Sequence, residues 1–211
     1  DSAYDALVAS LESRGALMLD AEAKMALQQL MWSQGKLNPA VIAQPAEQIA
    51  QMAGIAGAPG KAIATLLVSE TGTGPGYPFS GEKLCPVLTI YRAADFDAAL
   101  AQVARIYSYQ GAGHSVGIHT QNPDRPIRVG LELPACRVIV NQVHCFATGG
   151  SFDNALPFSL SMGCGSWGGN SISENLNYRH YLNIVRVVTP IPAREVSPED
   201  LLADYWSRYG K

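Results

Sequence analysis

The sequence lacks the features that would assign it to several large classes of protein. Its four cysteines include no C-x-x-C pair, so neither a disulfide framework nor zinc-ligand spacing is present. Lysine and arginine form no cluster, and the formal net charge of −3 gives no reason to expect nucleic acid. No apolar run reaches membrane-spanning length, and no basic segment precedes a hydrophobic one near residue 1. We therefore expect a cytoplasmic protein with reduced thiols and no metal site, binding neither nucleic acid nor a membrane.

An initiator methionine is missing too. The sequence begins on Asp1, and the amphipathic spacing of Tyr4, Leu7, Val8 and Leu11 predicts a helix almost at once. A natural N-terminus usually carries some untethered residues before its first element. We therefore expect a processed or truncated end.

The patterns that are present indicate an α/β fold. Periodic apolar residues predict helices at 4–11, 23–31, 45–52, 96–107 and 126–133, and apolar runs predict strands at 63–68, 86–91, 115–119 and 137–141. A short strand is also expected at 40–43, a turn at 54–60 and an ordered loop at 71–81. The alternation from 86 to 141 predicts a parallel sheet with right-handed crossovers, flanked by helices. A late strand at 182–189 and a terminal helix capped by Ser197 complete the prediction.

Three segments contain residues that could carry chemistry. In the first, Glu82 lies on a loop before a buried strand, where a carboxylate can hold a ribose hydroxyl pair; the alternative is a solvated glutamate beside Lys83. The second, Gly111-Ala112-Gly113-His114-Ser115, enters a strand; its glycines can simply cap the preceding helix, and His114 can be structural or functional.

The third segment is long, rich in Gly, Ser and Asn, and extends from Gln142 to Asn177 without periodicity. Such segments within a compact domain are usually functional. It contains His144-Cys145 and Cys164, each cysteine a possible nucleophile. Adjacent residues on an extended chain point to opposite sides, so His144 is not expected to activate Cys145.

The same segments resemble the CoA-acylating branch of the aldehyde dehydrogenase superfamily. Glu82-Lys83-Leu84-Cys85-Pro86 is similar to the E-x-F-G-P loop, with Leu84-Cys85 replacing Phe-Gly, and Gly113-His114-Ser115 resembles a G-H-[ST] motif. The stretch 163–175, GCGSWGGNSISEN, closely resembles the signature G-C-G-[ST]-x-G-G-N-S-x-S-[DE]-N. With 138–141 and 182–184, the resemblance covers nearly the whole chain.

This resemblance implies a part of an oxidoreductase that converts a small aldehyde, CoA and NAD or NADP to an acyl-CoA through a cysteine thioester. The family's nucleophile, in C-[AS]-[AS]-E-Q, would precede Asp1, as would a Rossmann-type half, so no catalytic residue is expected in this chain. Glu82 and Pro86 would bind the cofactor. The candidates for the aldehyde pocket are His114, Asn141, His144 and Cys145. Residues 1–177 would belong to the catalytic domain, and 178–211 would form an oligomerisation strand and C-terminal helix of a homodimer or larger homo-oligomer.

The substrate and the class of activity leave alternatives. Segment 142–154, QVHCFATGGSFDN, departs from the shorter stretch of the acetaldehyde enzymes and is more similar to the sulfoacetaldehyde-oxidising, acylating enzymes, in which case Arg179 or Arg186 could pair with a sulfonate. The alternatives are a non-acylating aldehyde dehydrogenase, a non-catalytic oligomerisation module, and a thiol hydrolase pairing Cys145 or Cys164 with His114 or His144.

Overall fold

A computed structural model of the protein describes residues 3–57 and 62–211, which divide into two compact units, Asp1–Asn177 and Tyr178–Lys211. The described helices are α1 Tyr4–Glu12, α2 Ala21–Met31, α3 Ala46–Met52, α4 Phe96–Tyr109, α5 Asp124–Glu132, α6 His144–Ala147 and α7 Pro198–Tyr209. The described strands are β1 Ala16–Met18, β2 Trp32–Ser33, β3 Lys36–Leu37, β4 Thr65–Ser69, β5 Val87–Ile90, β6 Val116–Ile118 and β7 Val138–Val140.

Parallel pairing organises the first unit. Strands β1, β4 and β5 form one sheet in that order, and β6 pairs with β7 in another. The expected parallel-rich α/β fold flanked by helices is confirmed. The expectation of a single sheet is wrong for the described residues, because the alternation of elements fixes strand direction and not which edges pair. Strand β1 and the β2–β3 hairpin were not predicted, since runs of two or three residues carry little periodicity.

The larger core lies around β4. Leu66, Leu67 and Val68 are fully buried, as a strand covered on both faces requires. Leu66 and Val68 belong to the same cluster as Leu27 and Met31 of α2. A second cluster joins α4 to α5 through Leu100, Val129 and Leu133. These two clusters support the two loops on which the candidate residues lie.

Capping side chains fix the starts of α2 and α4. Asp20 accepts a hydrogen bond of 2.8 Å from the backbone N–H of Ala23, and Asp95 accepts one of 2.8 Å from that of Ala98. Each carboxylate satisfies a donor that the first helical turn leaves without a partner. The five helices predicted before residue 134 are confirmed, with shifts of one or two residues at their ends.

The short strand expected at 40–43 is wrong. Pro39–Val41 form a 3-10 helix, in which Pro39 occupies the first turn and the Asn38 side chain accepts a 3.0 Å hydrogen bond from the Ala40 N–H. The Asn38-Pro39 pair therefore determines the backbone conformation of this segment, although its apolar composition suggested a strand. Of the turn expected at 54–60, Gly54 adopts φ +70°, and residues 58–60 lie outside the described part of the chain.

The second unit contains a 3-10 helix, Tyr178–Tyr181, and helix α7. Helix α7 begins as predicted, with the Ser197 hydroxyl accepting a 3.0 Å hydrogen bond from the Asp200 N–H. Residues 182–189 are exposed and form no strand within the described chain. A strand exists only where a neighbouring backbone supplies its hydrogen bonds, so the expected late oligomerisation strand stays a prediction. Among the described residues, no helix is both long and apolar enough to cross a membrane.

Candidate functional site

Glu82 lies on a loop that is fixed at both ends. Phe79 is completely buried and packs edge-on against Trp32, with ring centroids 4.8 Å apart. After the loop, the Pro86 carbonyl accepts a 3.0 Å hydrogen bond from the Leu66 N–H and so joins the sheet beside β5. Glu82 itself is exposed. Its carboxylate is therefore presented to solvent from a backbone with little freedom to move.

A hydrogen bond to the residue directly after α4 fixes the middle of this loop. The Glu82 N–H donates a 2.9 Å hydrogen bond to the Gln110 side-chain oxygen, directly after α4. A Cβ on Gly81 would lie 2.4 Å from that oxygen, so the glycine permits the close approach. Gln110 also precedes the Gly111–Ser115 turn, and the structure thereby brings the first two candidate segments next to each other.

Lys83 is turned inward and holds the loop together. Its ammonium donates hydrogen bonds of 2.8 Å to the carbonyls of Phe79 and Gly81. Burial lowers the pKa of Lys83 to about 8, against the opposing effect of the nearby Cys85 and Glu82. Glu82 is exposed, as in the alternative of a solvated glutamate, whereas the inward position of Lys83 was not indicated by the sequence pattern.

Lys83 should make stability depend on pH. The unfolded lysine keeps its proton up to about 10.5 and the folded one releases it near 8, so the unfolded chain binds more protons between these values. The free energy of unfolding should therefore rise with pH across this window, and the gain is lost as pH falls through 8. Relative to Lys83→Met, the wild-type chain should gain up to about 2–3 kcal/mol between pH 8 and 10.

The measurement is urea unfolding of both proteins at several pH values. Cys85 has a pKa raised mainly by burial and would act in the opposite direction; both proteins retain it, so the difference between them reports Lys83 together with its charge interaction with Cys85. Parallel stability curves for the two proteins would contradict the prediction.

The turn that carries His114 is anchored through its backbone. Gly111 follows α4 with φ +92°, as the helix-capping alternative predicts. The His114 carbonyl accepts a 3.1 Å hydrogen bond from Arg137 Nη1, and the Ser115 carbonyl accepts one of 2.6 Å from the Tyr107 hydroxyl. Burial raises the pKa of Tyr107 to about 12, which keeps the phenol a donor. The position of His114 is thus set by two separate elements.

His114 and His144 meet at one hydroxyl group. Ser115 Oγ lies 2.6 Å from His114 Nδ1 and 2.9 Å from His144 Nε2. His114 is exposed and His144 is half-buried. Burial lowers the pKa of His144, and the neighbouring His114 lowers it further. The sequence named both histidines as candidates, and Ser115 only as the last position of the G-H-[ST] motif.

The structure places the other two pocket candidates differently. Cys145 is exposed on α6 beside His144; the two are helical neighbours, and the expected extended conformation is wrong. Asn141 has φ +53°, and its side chain makes two 2.8 Å hydrogen bonds, to the N–H and the carbonyl of Thr120. The described hydrogen bonds of Asn141 hold the turn after β6 and do not reach either histidine.

The signature stretch 163–175 is packed around a buried arginine. Arg137 is 4% exposed; its Nε donates to Asn175 Oδ1 at 2.7 Å, and Nη1 and Nη2 both lie 3.0 Å from the Gly163 carbonyl. Asn175 is fully buried and donates 2.9 Å hydrogen bonds to the carbonyls of Thr148 and Pro157. The signature therefore builds the support behind His114. Sequence reasoning did not identify Arg137, although an arginine opening an apolar strand is a signal.

The cysteines show no nucleophile–base pair. The hydrogen bonds of the described residues join neither Cys145 nor Cys164 to an imidazole; Cys164 Sγ is 3.9 Å from the Met162 carbonyl. Burial raises the pKa values of Cys85 and Cys136, which disfavours their thiolates. No cluster of metal-ligating side chains occurs among the residues that the structure describes.

Comparison with known proteins gives long matches. The chain is 54% identical over 211 residues to sulfoacetaldehyde dehydrogenase (acylating) of Cupriavidus necator, covering all of this chain and 43% of that protein. It is 36% identical over 216 residues to the enzyme of the same name from Bilophila wadsworthia, covering 46% of it. An acetylating aldehyde dehydrogenase from Geobacillus thermoglucosidasius has a TM-score of 0.83 at 31% identity, covering 92% of this chain and 43% of that one. No protein-family model matches. The chain thus spans less than half the length of these relatives.

Proposed function

We propose that this chain belongs to the CoA-acylating aldehyde dehydrogenases and that the complete protein converts a small aldehyde to an acyl-CoA. CoA is the second substrate, and NAD or NADP is the hydride acceptor. The observation that carries this proposal is the 54% identity over the whole chain to an acylating enzyme. The described site is in accord with it, since an exposed carboxylate and an exposed imidazole lie on adjacent, rigid segments.

The nucleophilic cysteine is proposed to lie outside this chain. Aldehyde oxidation through a thioester needs a cysteine held as its thiolate. Cys85 and Cys136 have pKa values raised by burial, and no hydrogen bond described here links Cys145 or Cys164 to a base. Residues 1–177 would then belong to the catalytic domain and form one wall of the aldehyde pocket. This chain by itself should be inactive.

Glu82 and Pro86 are proposed to form this chain's contribution to cofactor binding. A nicotinamide dinucleotide supplies the hydride acceptor when bound. The residues present fit it, because the Glu82 carboxylate is exposed and can accept hydrogen bonds from a pair of ribose hydroxyls. The bond from Glu82 N–H to Gln110 and the Pro86 carbonyl in the sheet hold that carboxylate in place. His114, Asn141, His144 and Cys145 remain the proposed residues of the aldehyde pocket.

Sulfoacetaldehyde is the proposed aldehyde. The names of the relatives from C. necator and B. wadsworthia support it, as does the departure of residues 142–154 from the acetaldehyde-type stretch. Arg179 and Arg186, both exposed in the second unit, are the proposed partners of the sulfonate. The complete protein is proposed to work in the cytoplasm, in line with the four free cysteines.

The test is NAD(P)H formation by the complete protein with acetaldehyde or sulfoacetaldehyde, with and without CoA. We expect CoA-dependent turnover, faster with sulfoacetaldehyde, and none from this chain alone. Turnover without CoA would indicate a non-acylating enzyme, and activity in the chain alone would place the nucleophile within it.

Glu82→Gln should raise the KM for NAD(P) about tenfold, because a hydrogen bond to a charged acceptor is replaced by one to a neutral amide. The matched control is Glu12→Gln, an exposed carboxylate at the end of α1. An unchanged KM for NAD(P) in Glu82→Gln would show that the Glu82 carboxylate does not contribute to cofactor binding.

Self-association is a second proposed function, carried by the exposed apolar run in the second unit. Val185, Val187 and Val188 are 87–90% exposed, and Leu182 and Ile184 are more than half exposed. Unpaired backbone beside such side chains favours strand pairing with another chain. We propose that residues 182–189 become a strand in the sheet of a second copy, giving a homodimer or larger homo-oligomer.

Val187→Pro should reduce the oligomeric state, because proline removes a ladder N–H and fixes φ. Val187→Thr is the matched control, since it keeps the N–H and a β-branched side chain. Light scattering coupled to size exclusion measures the molar mass of each variant of the complete protein. An unchanged mass for Val187→Pro would contradict pairing through this segment.

A further inference from the structure

The Ser115 hydroxyl carries one proton but contacts two imidazole nitrogens. His114 Nδ1 is 2.6 Å away and His144 Nε2 is 2.9 Å away, both within hydrogen-bonding distance. A hydroxyl can donate to only one nitrogen, so at least one of the two facing nitrogens carries a proton. The two histidines and the serine therefore share their protons as one unit.

The backbone around this unit is rigid, so the side-chain contacts decide how His114 is oriented. Arg137 holds the His114 carbonyl and Tyr107 holds the Ser115 carbonyl. A Cβ on Gly117 would lie 2.7 Å from His144 Nδ1, so the His144 ring packs directly on β6. His144 is thereby fixed by packing, and the exposed His114 ring is fixed by the serine that His144 holds.

We infer that His144 is a positioning residue that acts through the Ser115 hydroxyl to hold the His114 imidazole in one orientation and one tautomer. In that arrangement His114 donates from Nδ1 to Ser115, Ser115 donates to His144, and His114 Nε2 is left free to accept a proton. A neutral His144 is required, and the lowering of its pKa by burial favours that form.

The inference deepens the proposed function and rests on it, because it assigns this unit to the second half of the reaction. The thiol of CoA must lose its proton to attack the acyl group. The proton passes to His114 Nε2, the CoA sulfur bonds to the acyl carbon, and the bond from that carbon to the enzyme cysteine breaks to leave a thiolate. Aldehyde oxidation, which comes first, needs no base for the CoA thiol.

The test compares both halves of the reaction in the complete protein. His144→Ala should lower kcat/KM for CoA by about tenfold to a hundredfold, the range of a general-base contribution. At saturating acetaldehyde or sulfoacetaldehyde, where a contribution of His144 to aldehyde binding no longer limits the rate, a single-turnover burst of NAD(P)H without CoA should stay within about twofold of the wild-type amplitude and rate. His144→Gln should restore most of kcat/KM for CoA, because its amide can still hydrogen-bond the serine.

Ser115→Ala and the double variant Ser115→Ala/His144→Ala should each match His144→Ala, since the residues act as one unit. Phe146→Leu, at a position 75% exposed on the same helix α6, is the matched control and should leave both halves unchanged. Thermal unfolding identifies a variant that fails to fold. If His144→Ala does not fold, His144→Gln is compared with the wild-type protein in its place.

The inference is overturned by an unchanged kcat/KM for CoA in His144→Ala, by equal losses in both halves, by a loss in the burst alone, or by a His144→Gln variant as impaired as the alanine. Failure of the proposed function itself looks different: the wild-type protein would then show no CoA-dependent turnover.

Discussion

Asn175→Ala is expected to destabilise the protein by about 3–5 kcal/mol. The substitution removes the acceptor of the Arg137 Nε–H and the donor to two carbonyls, those of Thr148 and Pro157. Because Asn175 is fully buried and Arg137 nearly so, water cannot replace the lost partners. The substitution therefore leaves buried polar groups without partners. This costs more free energy of unfolding than the net contribution of an ordinary hydrogen bond.

The measurement is the thermal unfolding midpoint, which should fall by about 10 °C in a domain of this size. Ser173→Ala is the matched control, because Ser173 lies in the same signature stretch but is exposed. Asn175→Asp should also destabilise, since its second oxygen would face the two carbonyls as an acceptor. A midpoint for Asn175→Ala within about 2 °C of wild type would show that Arg137 finds other partners.

Gly113→Ala is expected to have an equally severe effect, for a steric reason. A Cβ at this position would lie 2.0 Å from the Cys164 carbonyl oxygen and 2.9 Å from the Gly168 nitrogen. Both are backbone atoms of the signature stretch and cannot rotate away, as the end of a flexible side chain could. The backbone must shift, and His114 and Ser115 would move with it. We expect a loss of at least about 3 kcal/mol of stability, together with most of the CoA-dependent activity.

Gly169→Ala separates the clash from the backbone conformation. Gly169 has φ +70° and Gly113 has φ +89°, so alanine is strained at both, but a Cβ on Gly169 meets nothing within 4 Å. Gly169→Ala should therefore cost only about 1–2 kcal/mol, the penalty of a left-handed conformation. Urea unfolding of the two variants gives the difference. Equal destabilisation would mean that the signature stretch yields to the added methyl group.

The candidate site was only partly readable from the sequence. Glu82 and His114 lie on segments with a visible motif, and each is exposed in the structure. Ser115 was given no role beyond its place in the motif, and Arg137 was not singled out, because their importance comes from partners distant in the sequence: His144 for the serine, Asn175 and Gly163 for the arginine. No periodicity or turn rule reports such contacts.

Gly113 illustrates the same limit. The sequence offered helix capping as the reason for the glycines before His114, and Gly111 fulfils that role with its positive φ. The requirement at Gly113 is the approach of the Cys164 backbone, which becomes apparent only when both segments are in place. The motif was visible, but the reason for its second glycine was not.

The sequence by itself determined helices α1 to α5, helix α7 and the buried strand, because capping carboxylates such as Asp20 and apolar runs such as 63–68 act through neighbours in the chain. Only the tertiary structure decided which strand edges pair, why Lys83 turns inward, and that one hydroxyl joins His114 to His144. The strand proposed for residues 182–189 would need a backbone partner outside the single chain. Local conformation follows from local chemistry, whereas pairing and burial depend on groups that only folding, or association, brings together.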